Sequence, residues 1–285
     1  MKLGRGRVVG ALLGLLASAC SPLKVFNAAV PKDGGVRLAV RDAAFGSDPR
    51  QRLDIYAPKA ASDSPRPIII FFYGGSWNSG TKSGYSFVGR ALASRGFVVA
   101  IPDYRLVPQV RYPTFLEDNA AAVRWVRGHA REFGGDADRL VLAGHSAGAY
   151  NAAMLALDPQ FLGPDRKAVR GLVGLAGPYD FLPFDGPVVQ QTFGGIGDPI
   201  GTQPVHYVNP NDPPAFLATG DKDQTVRPAN SDSLASKLRA AGVQVERHRY
   251  SDVGHAGLIT AIARPLRGRA TVLADMTAFA ARVTR

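Results

Sequence analysis

The chain has 285 residues and a formal net charge of +11, with 46% hydrophobic and 20% charged residues, a balance that excludes a disordered chain, a collagen-like repeat and a multi-span membrane protein. Its single cysteine, Cys20, excludes intrachain disulfides and cysteine-based zinc clusters. The basic residues are scattered among acids, without the aromatic interleaving of a nucleic-acid surface, so no nucleic-acid partner is expected.

Met1–Arg7 is short and basic, Val8–Ala17 is apolar, and Ser18-Ala19-Cys20 follows. These are the three parts of a signal peptide. The apolar run is well below the roughly 20 residues that a spanning helix needs. Leu16-Ala17-Ser18-Ala19-Cys20 resembles a bacterial lipobox, in which cleavage leaves an N-terminal cysteine for acylation. Ala17-Ser18-Ala19 also satisfies the rule for ordinary secretion, and both readings cut after Ala19. The expectation is a protein lipid-anchored to a membrane of the bacterial cell envelope through Cys20, facing the periplasm or exterior. The alternative is a soluble periplasmic or secreted form. Residues 1–19 are then the signal peptide, 20–36 a lipidated N-terminus and tether, and 37–285 the catalytic domain. Loss of the leader removes Lys2, Arg5 and Arg7, so +11 less three leaves +8.

Arg37–Ala57 carries two apolar-alternating stretches around the turn Gly46-Ser47-Asp48-Pro49, the pattern of an antiparallel hairpin at a sheet edge. The pattern then changes. Pro67–Tyr73, Phe97–Ile101, Leu140–Ala143, Gly171–Ala176 and Ala215–Thr219 are short apolar runs without alternation. Such runs suit strands buried on both faces of a parallel sheet. Between them lie helix-like segments: Ser86–Ser94, Phe115–His129, Ala147–Leu157 and Asn230–Ala241. Leu116, Ala120, Val123 and Val126 share one side of the second. Val245–Tyr250 reads as the last strand. Strand–helix alternation on this scale predicts a mostly parallel, doubly wound α/β domain, with its site beyond the carboxyl ends of the strands.

Gly144-His145-Ser146-Ala147-Gly148 is a G-x-S-x-G pentapeptide that follows one predicted strand and opens one predicted helix. A sharp strand-to-helix turn lifts a serine hydroxyl clear of the backbone, so Ser146 is the candidate nucleophile. A serine needs a base, and the base an orienting acid. Of five histidines, His129 ends a helix, His145 sits inside the elbow, His206 lies in a proline-rich loop and His248 lies on a sheet face. His255 stands just past the last strand, at a carboxyl end, and is the candidate base. Gly220-Asp221-Lys222-Asp223 follows the preceding strand, and spacing leaves Asp221 and Asp223 equally eligible as the acid. Tyr73-Gly74-Gly75-Ser76-Trp77 leaves an early strand with two glycines, suiting an oxyanion hole. Gly75–Ser83 nearly matches a phosphate-binding loop, but its lysine is one residue late and no helix clearly opens there. No metal-ligand motif occurs, so neither metal nor cofactor is implied.

Together these residues resemble the α/β-hydrolase superfamily. More narrowly they are similar to its carboxylesterase branch, which includes feruloyl-esterase-like and hormone-sensitive-lipase-like enzymes. The motifs are Tyr73 to Trp77 (H-G-G-x-W in the family), Asp103-Tyr104-Arg105-Leu106-Val107-Pro108, Gly134 to Leu140, Gly220 to Val226, and Asp252 to His255. The resemblance covers about Arg52–Arg282. It implies Asp223 as the acid, through G-x-x-D-x-x-V, and the N–H groups of Gly75, Ser76 and Ala147 as the oxyanion hole. Tyr73 departs from the family pattern, where a histidine braces the loop. Pro178–Pro214, where this family often widens its pocket, holds Tyr179, Phe181, Phe184, Phe193 and Tyr207. Trp77, Tyr179 and Phe181 are the expected pocket residues.

The expected activity is serine-dependent hydrolysis of a small-molecule carboxylic ester through an acyl-enzyme. The alternatives are an arylformamidase or peptidase on the same triad, and a non-catalytic binding lipoprotein that keeps the fold.

Overall fold

The computed structural model describes residues 22–285. The expected signal peptide and Cys20 lie outside them. The described residues build one sheet of eight strands: β1 (Val36–Ala44), β2 (Arg52–Pro58), β3 (Arg66–Phe72), β4 (Val98–Pro102), β5 (Gly135–His145), β6 (Val169–Leu175), β7 (Ala215–Gly220) and β8 (Val245–Tyr250). Their spatial order is β1-β2-β4-β3-β5-β6-β7-β8. β1 pairs antiparallel with β2, and β2 with β4, while every other neighbour is parallel. Among the described residues eight α-helices of six or more residues flank the sheet: α1 (Pro22–Ala29), α2 (Ser86–Ala93), α3 (Thr114–His129), α4 (Ala147–Leu157), α5 (Pro187–Phe193), α6 (Ala229–Ala240), α7 (His255–Thr260) and α8 (Val272–Val283). This is the α/β-hydrolase architecture, with the expected N-terminal antiparallel edge hairpin.

The central strands are apolar throughout because both faces are covered. Ile68 to Phe72 of β3 and Leu140 to Ala143 of β5 are all buried. Every residue of α4 is buried too, which explains why Ala147–Leu157 has no polar stripe.

Helices α5 and α7 lie where the sequence suggested only loop, and three further differences bear on how the domain packs. Residues 22–29, expected as part of a tether, form α1. Phe26 meets Phe87 of α2 edge-on at 5.4 Å. Asn27 Oδ1 accepts the Phe87 N–H and the Ser86 hydroxyl at 3.0 Å each, satisfying an N–H in the first turn of α2 that has no partner within the helix. β5 begins five residues before its apolar run, pairing Gly135 with Arg66. Apolarity marks burial, whereas the hydrogen-bonded ladder runs on through polar residues. The C-terminal helix α8 was not anticipated. It buries Val272, Met276, Phe279 and Ala280 and sets Phe279 against Phe216 of β7 at 5.9 Å.

The strand order fixes where a site can form. The chain leaves β3 toward β4 on one side, while β5 and its successors add on the other. The carboxyl ends of β3 and β5 therefore flank a topological switch point, where open α/β sheets bind ligands. Phe72 and Gly144 are register partners there.

Two identical substitutions should have opposite effects on stability. A Cβ at Gly148 would lie 2.0 Å from the Phe72 carbonyl oxygen, whereas one at Gly128, exposed near the end of α3, meets nothing within 4 Å. Overpacking costs roughly 1–3 kcal/mol or more, and each kcal/mol moves the melting temperature of a domain this size by about 2–4 °C. Gly148→Ala should therefore melt several degrees below wild type. Gly128→Ala should melt no lower than wild type, because it relieves a helix-glycine penalty of up to ~1 kcal/mol. Thermal melts of both variants check this, and equal midpoints would contradict it.

Candidate active site

Ser146 sits between the end of β5 and the start of α4 at φ 56°, ψ −126°. A non-glycine residue held there costs on the order of 1–3 kcal/mol, tolerated where the surroundings over-determine it. They do so here: the Ser146 N–H donates to Leu175 O and the Ser146 carbonyl accepts from Ala149, each at 2.9 Å. Serine is a preferred helix cap, yet the Ser146 side chain makes no capping bond, which leaves the hydroxyl available. The flanking glycines permit the turn. A Cβ at Gly144 would lie 2.2 Å from Gly148 O.

The loops after β7 and β8 bring Asp223 and His255 together. His255 Nδ1 lies 2.7 Å from Asp223 Oδ2. The other carboxylate oxygen accepts the N–H groups of Thr225 and Val226, each at 2.9 Å. Burial alone would raise the Asp223 pKa. The hydrogen bonds from His255 and the two amides outweigh it and hold the carboxyl below its usual range. Asp221, the other candidate, is exposed and contributes its backbone N–H to Tyr250 O at 3.0 Å. The contact with His255 thus belongs to Asp223 alone.

One neighbour of this pair was missed in the sequence. His145 Nε2 lies 3.2 Å from the backbone oxygen of His255, and the two rings pack at 4.8 Å. Burial, with His255 second, pushes the His145 pKa down to about 3, so its ring is neutral and braces the base loop. Its place next to Ser146 was the only available signal. The remaining histidines lie elsewhere: His129 stacks on Trp125 at 4.1 Å, His206 meets Tyr207 at 5.2 Å, and His248 stacks on Phe216 at 4.7 Å.

The loop after β3 takes three successive positive φ angles, 137° at Gly75, 50° at Ser76 and 58° at Trp77. Asn78 and Ser79 donate to Gly75 O and close the turn. The Trp77 indole N–H donates to Asn151 Oδ1 of α4 at 3.1 Å, tying this loop to the elbow helix. Ala147, in the first turn of α4, has an N–H that no intrahelical carbonyl can reach. The near-match to a phosphate loop carries no such role, because Lys82 is paired with Asp42 and with Asp54, the latter at 2.9 Å.

A cleft of about 750 Å³ opens over Ser146 and is lined by Ser76, Trp77, Ala147, Phe181, Phe184 and Val226 among others. Of the expected oxyanion donors, Ser76 and Ala147 face this cleft, while Gly75 borders a smaller adjacent cavity. Trp77 and Phe181 line it. Tyr179 does not: it is fully buried. A Cβ at Gly174 of β6 would lie 1.9 Å from its hydroxyl. The missing side chain there makes room for the ring below the cleft floor.

The profile of the BD-FAE family matches residues 53–238, and that of the Prolyl oligopeptidase family matches residues 199–285. Esterase LipC of Mycobacterium tuberculosis is 32% identical over 223 residues, 70% of this chain and 55% of that protein. The chain thus spans little more than half of that relative. Carboxylesterase NlhH of the same species is 30% identical over 76% of this chain and 74% of its own length. An inhibited form of Esterase B from Lactobacillus rhamnosis shares the fold, with a TM-score of 0.80 at 19% identity over 96% of both chains.

The lipid-anchored, membrane-bound localisation expected from the leader is corrected by these findings. What the chain shares with the esterases is the whole folded body, and no helix among the described residues is long and apolar enough to cross a membrane. With the BD-FAE profile over residues 53–238 and a carboxylesterase relative matched over about three quarters of both lengths, the chain belongs to the BD-FAE family, in the esterase part of the α/β-hydrolase superfamily.

Proposed function

We propose that the chain is a serine hydrolase that cleaves small carboxylic esters, with residues 37–285 as one catalytic unit. The observation that carries this reading is a cleft that opens over Ser146, together with a bonded histidine–carboxylate pair at the carboxyl ends of the last two strands. Ser146 is uncapped on a strained elbow, His255 is bonded to the buried Asp223 carboxylate, and Ser76 and Ala147 line the cleft beside Ser146. In this reading Ser146 Oγ attacks the ester carbonyl while His255 Nε2 takes its proton. Asp223 holds Nδ1–H, fixing the tautomer and stabilising the imidazolium. The N–H groups of Gly75, Ser76 and Ala147 receive the developing oxyanion. His255 then returns the proton to the leaving alcohol, and water repeats the sequence on the acyl-enzyme. A cleft of about 750 Å³ suits a small-molecule substrate.

A second reading is amide or peptide cleavage by the same groups. It is supported by the Prolyl oligopeptidase match over residues 199–285, a stretch that includes both Asp223 and His255. The two readings diverge in the leaving group, since an amine must be protonated as it departs whereas an alkoxide needs less help. Paired p-nitrophenyl esters and p-nitroanilides with the same acyl group separate them. Ester turnover should dominate, and comparable kcat/KM on both would favour the amidase reading.

Ser146→Ala should abolish turnover and labelling by a fluorophosphonate probe while the protein stays folded. Activity within about tenfold of wild type would exceed what loss of a nucleophile permits and remove Ser146 from the mechanism. Asp223→Asn should keep the hydrogen-bonding shape but favour the wrong histidine tautomer. Its kcat should fall by up to ~10⁴, the loss known for that change in a serine protease. Asp221→Asn should stay near wild type. Steady-state kinetics on the two variants checks the assignment, and the reverse ranking would overturn it.

A further inference from the structure

The loop that runs from Tyr73 to Gly80 keeps its N–H groups aimed only if its unusual backbone is fixed from both sides. Trp77 fixes the inner side through Asn151, and its carbonyl accepts the Val107 N–H at 2.9 Å. The outer side is met by Arg50, which comes from the turn between β1 and β2. Its guanidinium Nη2 donates to the Tyr73 hydroxyl at 2.8 Å and to Gly80 O at 3.0 Å, the two ends of the loop. Its Nε donates to Tyr104 O at 2.8 Å. Tyr104 in turn donates its hydroxyl to Tyr73 O at 2.8 Å and stacks on the Tyr73 ring at 4.7 Å.

The fit leaves little slack. Gly80 has φ 102°, and a Cβ there would lie 2.8 Å from the Tyr73 ring. Tyr73 is fully buried. Burial pushes its pKa well above the ordinary phenol value, so the hydroxyl stays protonated while it accepts from Arg50. Asp103 lies 3.9 Å from the guanidinium and accepts the Lys82 N–H at 2.7 Å. The turn that carries Arg50 is itself fixed. The Arg50 N–H donates to Asp48 Oδ1 at 2.8 Å, and Gln51 Nε2 donates to Asp118 Oδ1 at 2.8 Å. A planar fork reaches divergent acceptors that a lysine ammonium would not hold together.

Resting on the ester-hydrolase reading above, we propose that Arg50 and Tyr73 are a pair of positioning residues that clamp both ends of the oxyanion loop, so that the edge hairpin takes part in transition-state stabilisation. Neither side chain touches the substrate. Their effect is on the aim of the Gly75 and Ser76 N–H groups, which matters only as negative charge develops.

The test compares wild type with Tyr73→Phe, Arg50→Lys, Arg50→Ala and the double variant Arg50→Ala/Tyr73→Phe. The measurements are ester kinetics, the rate of inactivation by a fluorophosphonate, and thermal midpoints. Each single variant should lose roughly 10- to 100-fold in kcat, the scale of a small misplacement at a reacting centre. KM should stay within about twofold, the signature of an interaction made in the transition state. Inactivation should slow in parallel, and the double variant should be no worse than Arg50→Ala alone, because the two residues act as one unit. Should Arg50→Ala fail to fold, Arg50→Lys, Tyr73→Phe and their combination make the same comparison. Unchanged kcat in folded single variants, a loss confined to the thermal midpoint, or losses that multiply in the double variant would each overturn the clamp while leaving an active wild type. A wild type that neither turns over esters nor takes the probe would overturn the hydrolase reading, and the clamp with it.

Discussion

The site depends on one steric constraint, the absence of a side chain at Gly148. A Cβ there would lie 2.0 Å from the Phe72 carbonyl oxygen at the end of β3. Without it, the first turn of α4 rests directly on the end of β3, from which the loop through Gly75 departs. Ser146 and the Gly75–Trp77 turn follow neighbouring strands, and this contact sets their separation. Gly144 does the same on the other side of Ser146, within 2.2 Å of Gly148 O if it carried a Cβ. The strain at Ser146 is then affordable, because its own N–H and carbonyl are both satisfied.

The other half of the site uses the same device. Gly220 ends β7, and a Cβ there would lie 1.9 Å from Val253 O in the loop after β8. The loop that carries Asp223 and the segment that leads to His255 can therefore lie against each other. That closeness buries the Asp223 carboxylate, which would be costly alone. Three hydrogen bonds offset the cost, and one of them is the bond that orients His255. The Lys222 N–H donates to Val253 O at 3.0 Å, which holds the two loops in register. His145 adds the link across the halves, joining the elbow strand to the backbone of His255.

Much of this was legible because the determining patterns are local. Strands buried on both faces give unbroken apolar runs, and β8 and α4 begin and end where the sequence placed them. The strand–turn–helix setting of Ser146 could be read from its motif, and the placing of His255 just past the last strand from its position. What could not be read depends on contacts distant in sequence. Helix α1 is a short mixed segment whose partner α2 lies some sixty residues on. Tyr179 and Phe181 are both aromatic and nearly adjacent, yet one is buried over glycine and the other faces the cleft. Spacing left Asp221 and Asp223 equal, because the amides that cradle Asp223 belong to a turn whose shape appears only in three dimensions.

The segments outside the sheet carry a constraint of their own. Phe193 of α5 is fully buried and meets Trp77 at 4.9 Å, Tyr150 of α4 at 5.5 Å and Phe184 at 5.6 Å. Trp77 also lines the cleft and holds the loop after β3 to α4 through Asn151. One aromatic cluster therefore serves both the wall of the cleft and the loop after β3. In a close-packed interior a change of volume on one side of such a cluster is transmitted to the other. Substitutions at Phe181 or Phe184, at the cleft surface, can alter the wall while leaving Phe193 in place. Substitutions at Phe193 cannot, because they remove the support on which Trp77 rests, and the loop after β3 moves with it.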